Sequence, residues 1–163
     1  VPHALLVLVP RHPQRFGAVA ELLAREKISF GRRSEGLPGS ETQVWLGDSM
    51  GEMAAYFTLA DVAFIGGSLL PLGGQNLIEA AACGCPSVVG PHTFNFLQAT
   101  ADAIAAGAAL RVDDADGLAA AIGRVFGDSG ELGAMRAAAL SFAAAHRGAT
   151  ERTVALIRSA LTS

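Results

Sequence analysis

A chain of 163 residues, 51% hydrophobic and 17% charged, is the size of one domain with a sizeable core and is richer in apolar side chains than the usual globular mix. Its net charge of -3, with the basic residues Arg11, Arg15, Arg25, Lys27, Arg32 and Arg33 gathered early, leaves no broad basic face and argues against nucleic acid as a partner. No apolar run reaches the roughly 20 residues of a membrane-spanning helix, and Val1 to Val9 is too short and lacks the basic flank of a signal peptide.

The chain starts at Val1 and enters a strand almost at once, which suggests a piece of a longer protein. Ala4 to Val9 is an unbroken apolar run, as expected for a strand covered on both faces. Pro10 and Pro13 bracket Arg11-His12, and a helix over about Gln14 to Glu26 puts Phe16, Val19, Ala20, Leu22 and Leu23 on one stripe. Strands are expected near Ile28 to Arg33 and Gln43 to Leu46, divided by a polar turn over Ser34 to Thr42. Gly47-Asp48-Ser49 then reads as the cap of a helix from Gly51 to about Leu59.

Val62 to Ile65 is the next buried strand, followed by the glycine-rich loop Gly66 to Asn76. A helix over about Gln75 to Cys83 ends at Gly84, Pro86 stops it, and Ser87 to Val89 is a further strand. Gly90 to Phe96 opens a helix to about Ala106, a strand lies near Ala109 to Val112, and helices are expected over Asp116 to Phe126, Ser129 to Ala145 and Glu151 to Leu161. Strands alternating with helices imply an α/β fold with a parallel sheet flanked by helices, in one domain with a helical end.

In such sheets ligands sit outside the carboxyl ends of the strands, so the loops there carry the chemistry. Gly66-Gly67 lets the backbone leave its strand in any conformation, and Gly73-Gly74 allows close approach to the next helix start, whose unpaired N–H groups favour a phosphate. Asn76 can add an amide. Glu79, at i+3, projects from the same face and suits a ribose diol, which can donate a pair of hydrogen bonds to its oxygens. The opposing reading is that the glycines only make turns and Glu79 is solvated. The GxGxxG dinucleotide spacing is absent, which disfavours NAD.

Ser49, Met50, Gly51 and Glu52 repeat this logic at the next loop upstream, or form a plain helix cap. Arg11 can meet a phosphate or lie against a base, and His12 alone reads as structural. No G-x-S-x-G elbow and no H-E-x-x-H occurs. Asp113 to Asp116 reads as a helix cap rather than a metal site, and Cys83-Gly84-Cys85 as apolar thiols rather than half of a zinc or redox motif.

Taken together, VPRHPQRF and GDSMGEMAAYFTLADVAFIGGSLLPLGGQNLIEAAACGCPSVVGPHTFNF closely resemble the C-terminal half of 3-deoxy-D-manno-octulosonic acid (Kdo) transferases, which are inverting GT-B glycosyltransferases. The resemblance covers most of Leu5 to Val112. It implies a Rossmann-like C-terminal domain, shortened at its N-terminus, that holds CMP-Kdo while Kdo passes to a lipid A precursor at the cytoplasmic face of the bacterial inner membrane. By match of motif, Pro10 and Arg11 should border the cytosine and Ser49, Met50, Gly51 and Glu52 should line the nucleotide pocket. Gly66, Gly67, Ser68, Gly73 and Gly74 should form its backbone wall, with Asn76 on the phosphate and Glu79 on the ribose. Gln75 and Ala80 depart from the histidine and proline of the family pattern.

The family's general base, a glutamate, and its acceptor surface belong to an N-terminal domain that this chain lacks, so the chain should bind donor without transferring sugar. Neither metal nor cofactor is implied. A UDP-sugar enzyme of the same fold and a Rossmann-like module without catalysis are the competing expectations.

Overall fold

The computed structural model describes residues 4–146, 154 and 157–161. They divide into two compact units, Val1–Ala60 and Asp61–Ser163. In the first, strand β1 (Leu6–Leu8) leads through a turn of 3₁₀ helix, Pro13–Arg15, into helix α1 (Phe16–Arg25), then β2 (Phe30–Arg32), β3 (Val44–Leu46) and helix α2 (Met53–Leu59). The strands form a parallel sheet in the order β1-β3-β2, with Val44 opposite both Leu6 and Phe30.

The central strand is the core of this unit. Val44, Trp45 and Leu46 are all buried, together with Ala20 and Leu23 from the apolar stripe of α1 and Tyr56 from α2. Burying each large side chain of this kind contributes about 1.5 to 3 kcal/mol. The expectation for β1 needs correction: it is shorter than the apolar run, and Leu5 and Leu6 are 41% and 55% exposed. Among the described residues it pairs only with β3, and the exposure of Leu5 and Leu6 means that an unbroken apolar run does not here signify cover on both faces.

The second unit runs β4 (Ala63–Phe64), α3 (Ile78–Ala82), β5 (Ser87–Val89), α4 (Leu97–Ala105), β6 (Ala109–Arg111), α5 (Ala115–Gly127) and α6 (Ser129–Ala145). Its parallel sheet has the order β4-β5-β6, and the middle strand is again fully buried. Helices α3, α4 and α5 all pack on α6, and Arg136 of α6 donates to Asp61 at 2.6 Å. The fold is thus α/β, with parallel sheets flanked by helices.

Two details follow the sequence closely. Asp114 caps α5 by accepting from the Gly117 amide, and Asp128 caps α6 by accepting from those of Gly130 and Glu131. No cluster able to hold a metal occurs among the described residues. Cys83 and Cys85 form no disulfide, and burial pushes the Cys85 thiol up to about 11. Of the expected helix over Glu151 to Leu161, residues 154 and 157–161 are described and are helical; the others lie outside the described residues.

Candidate functional site

The candidate residues fall into two sets, one in each unit. Pro10, Arg11 and Ser49 to Glu52 belong to the first, and Gly66 to Glu79 to the second.

In the first unit, Pro10 and Arg11 lie just past β1, one residue beyond its end, and Arg11 is exposed. The loop after β3 departs from expectation. Helix α2 begins at Met53 with Glu52 in the capping position, and no side chain caps it. Asp48 has turned to the preceding strand instead, where it accepts from the Ser34 amide at 2.9 Å and the Ser34 hydroxyl at 2.7 Å, with Arg32 3.7 Å away. Burial pushes the Asp48 carboxyl up, but Ser34 and Arg32 more than offset this and hold it below its ordinary value.

Ser49 likewise serves a partner in its own loop. Its hydroxyl donates to Glu52 Oε2 and lies 3.0 Å from the Tyr56 hydroxyl, which itself reaches Oε2 at 3.4 Å. Arg33 donates to Oε1 at 2.9 Å. Both carboxylate oxygens of Glu52 are therefore engaged, and the Ser49 hydrogen bond, followed by the Arg33 charge and the Tyr56 hydroxyl, lowers its pKa. Gly51, at φ 80°, makes the turn that brings Glu52 back to Ser49, a backbone state open chiefly to glycine. Met50 is 65% exposed beside it.

Behind this loop, Arg33, Leu37, Trp45, Glu52, Tyr56 and Leu59 line a cavity of about 390 Å³. The Tyr56 ring stands edge-on to Trp45 at 5.8 Å, which fixes the ring while its hydroxyl faces the loop. Sequence reasoning missed Arg33, Ser34 and Tyr56. The Ser-x-x-Glu spacing of Ser49 and Glu52, with Tyr56 one turn further on, was the available signal for two of these bonds. Nothing local marks Arg33.

In the second unit the glycine loop leaves β4 and is tied down at once. Ser68, fully buried, donates its hydroxyl to Ile65 O at 2.5 Å and accepts from the Gly90 amide at 2.8 Å, while its carbonyl accepts from the His92 amide. Gly90 has to be glycine, since a Cβ there would lie 2.3 Å from Ser68 O. Gly67, Gly73 and Gly74 have φ of 75°, 87° and 72°, and the Gly74 amide closes the loop onto Gly67 O at 3.1 Å. Gly66 is not in this left-handed region.

The space beside Gly73 is filled by Asn95, whose side-chain atoms lie 2.3 to 2.7 Å from where a Cβ would stand. Helix α3 is shorter than expected because its first turn is spent on Asn76. The Asn76 Oδ1 accepts from the Ile78 amide, and its Nδ2 donates to Glu79 Oε1 at 3.0 Å. The two side chains thus meet, although Asn76 precedes the helix and it is the turn onto the Ile78 amide, not a shared helical face, that brings it to Glu79. Leu77, Ala80 and Ala81 turn inward and leave Glu79 exposed. This edge offers an amide and a carboxylate side by side, a pair suited to an anion next to a diol.

No family model matches the chain. A 3-deoxy-D-manno-octulosonic acid transferase from Bordetella pertussis is 50% identical over 155 residues, 94% of this chain and 36% of that protein. The Haemophilus influenzae protein of the same name is 54% identical over 96 residues, 58% of this chain and 22% of its own length. The chain therefore spans about a third or less of these relatives. Among solved structures, the C-terminal CMP-Kdo binding domain of WaaA from Acinetobacter baumannii superposes with a TM-score of 0.79 at 36% identity, over 83% of this chain and 72% of that one.

Proposed function

Since the chain belongs to the Kdo transferase family, within its C-terminal domain, we propose that residues 1–163 are a donor-binding unit for CMP-Kdo. The observation that carries this reading is the hydrogen-bonded pair Asn76–Glu79 at the exit of the glycine loop. Asn76 takes the phosphate, and Glu79 accepts the ribose hydroxyls. Gly66, Gly67, Ser68, Gly73 and Gly74 form the backbone wall, Pro10 and Arg11 border the cytosine, and Ser49, Met50, Gly51 and Glu52 complete the nucleotide contacts.

In the full-length enzyme, a hydroxyl of a lipid A precursor attacks the anomeric carbon of Kdo and CMP leaves. A glutamate of the N-terminal domain takes the hydroxyl's proton. Charge growing on the departing phosphate is met by Arg11 and Asn76. No metal or further cofactor enters this scheme. The reaction belongs at the cytoplasmic face of the inner membrane, where the donor is soluble and the acceptor is lipid. Among the described residues no helix is long and apolar enough to cross a membrane. With the general base on the other domain, this chain binds donor but transfers no sugar.

The test is an amide-resolved NMR titration with CMP, UMP and AMP. CMP should win, with shifts at Arg11, Ser49, Gly67, Asn76 and Glu79. A preference for UMP would instead assign the chain to a UDP-sugar enzyme. Glu79→Ala should weaken CMP by about 1.5 to 3 kcal/mol, the scale of hydrogen bonds to a charged group, and leave the fold intact because the side chain is exposed. Unchanged affinity would end the ribose role. Asn76→Ala should cost more for CMP than for cytidine.

A further inference from the structure

We propose that Asn95 is a positioning residue for the donor phosphate, setting the backbone from Leu72 to Asn76 without touching the nucleotide. This rests on the reading of Asn76 as the phosphate contact. The two ends of the glycine loop are held very differently. Its root is fastened in the core through Ser68, which is fully buried and bonded to both Ile65 and Gly90. Its far half has less: Leu70 and Leu72 are each 64% exposed and Pro71 between them is exposed too, and its tie back to the root is the single bond from the Gly74 amide to Gly67 O.

That far half also contains two consecutive left-handed glycines, Gly73 and Gly74. Glycine has the widest backbone freedom of any residue, so without a restraint this pair would sample many conformations and carry Asn76 with it. The exposed leucines do not supply the restraint; beside the Gly74–Gly67 bond, Asn95 does. Its backbone amide donates to Gly73 O at 3.1 Å, and its Nδ2 reaches Leu72 O at 3.3 Å and Gly74 O at 3.5 Å. The same side chain fills the volume that a Cβ on Gly73 would need.

The chemistry of the position selects asparagine. A ring of main-chain carbonyls calls for an N–H donor, which a carboxylate lacks and a methyl cannot replace. Asn95 is itself exposed, so its bonds add little to the core. Their consequence falls on Asn76, two residues past Gly74, whose other side is pinned to α3 through the Ile78 amide and Glu79. Held at both ends, Asn76 presents its amide in one place. Displacing a binding group by about 1 Å is enough to cost orders of magnitude where geometry is demanding.

The experiment uses the 163-residue chain with Asn95→Ala and Asn95→Asp, titrated with CMP and with cytidine, alongside native-state amide exchange. CMP affinity should fall about tenfold in the alanine variant and further in the aspartate variant, with cytidine within twofold of the unsubstituted chain. Exchange at the Gly74 and Ile78 amides should quicken at least tenfold while the Ser87 amide in β5 stays protected. Equal losses for CMP and cytidine would make Asn95 a general structural residue and overturn the proposal, as would unchanged CMP affinity or unchanged exchange at Gly74. If alanine prevents folding, the near-isosteric aspartate variant decides by the same readouts. An unsubstituted chain that binds neither ligand would overturn the nucleotide reading and Asn95's part in it, with the exchange data still reporting separately whether Asn95 holds the loop.

Discussion

The loop after β3 and the loop after β4 contribute to the same proposed function, yet they are fixed by opposite means. After β3, side chains do the holding: Ser49, Tyr56 and Arg33 converge on the Glu52 carboxylate, and Ser34 and Arg32 on Asp48. After β4 the fixing is done by main chain meeting main chain, made possible where glycines leave room, with Ser68 and Asn95 as the polar fasteners. A charged network tolerates added bulk but depends on ionisation. A glycine lock is indifferent to ionisation but intolerant of a single methyl group.

The sharpest way to break the comparison is to add that methyl group. Gly90→Ala should destabilise the chain by about 3 kcal/mol, because its Cβ meets the buried backbone of Ser68 at 2.3 Å and overpacking against backbone has little relief. Chemical denaturation would measure it, and a loss below about 1 kcal/mol would mean that the Ser68–Gly90 contact is looser than described. Gly73→Ala should cost less, about 1 to 2 kcal/mol, since its φ of 87° is strained for alanine while exposed Asn95 can swing aside. Its larger effect should be on CMP affinity, read in the same titration.

Acid should do the reverse and spare the glycine lock. Asp48 and Glu52 both have folded pKa values below their ordinary 3.8 and 4.5. The stability they contribute is thus fully present above those ordinary values and is lost as pH falls through the lowered folded ones. As pH falls below 4.5 and then 3.8, amide shifts of Ser49 and Gly51 should move with the carboxylates while those of Gly67 and Gly74 stay in place. Movement of all four together would dissolve the distinction. The smallest effect belongs to Tyr56→Phe, which removes one oxygen and keeps the ring against Trp45: the Glu52 carboxyl midpoint, followed by carbon-13 NMR, should rise toward its ordinary value. A midpoint that does not move would exclude the Tyr56 hydroxyl from the network.

Much of this was legible in advance. Ser87 to Val89 and Ser129 to Ala145 have the boundaries expected of them, since a continuous apolar run and a helical period between caps are local signals. Asn76 and Glu79 are neighbours, as their spacing suggests, and are hydrogen-bonded, but the helix starts only at Ile78, so they do not share a helical face. The loop at Asp48 and Ser49 was misjudged for an instructive reason. Both are good cap residues, but capping is only one use of such side chains: Asp48 instead accepts from Ser34, and Ser49 donates to Glu52. The exposed edge at β1 was also unreadable, because strand order does not appear in a single strand's composition.

By itself the sequence determined which segments become strands and helices and where glycines leave the backbone room to turn. All of these are set by backbone sterics and by side-chain periodicity over three or four residues. Only the tertiary structure decided what fills the room the glycines leave and what each carboxylate holds. Arg33 reaches Glu52 across 19 residues, Ser68 meets Gly90 across 22, and Asn95 grips Leu72 across 23. Contacts at that separation are chosen by how strands pair and loops pack, and no local pattern records them.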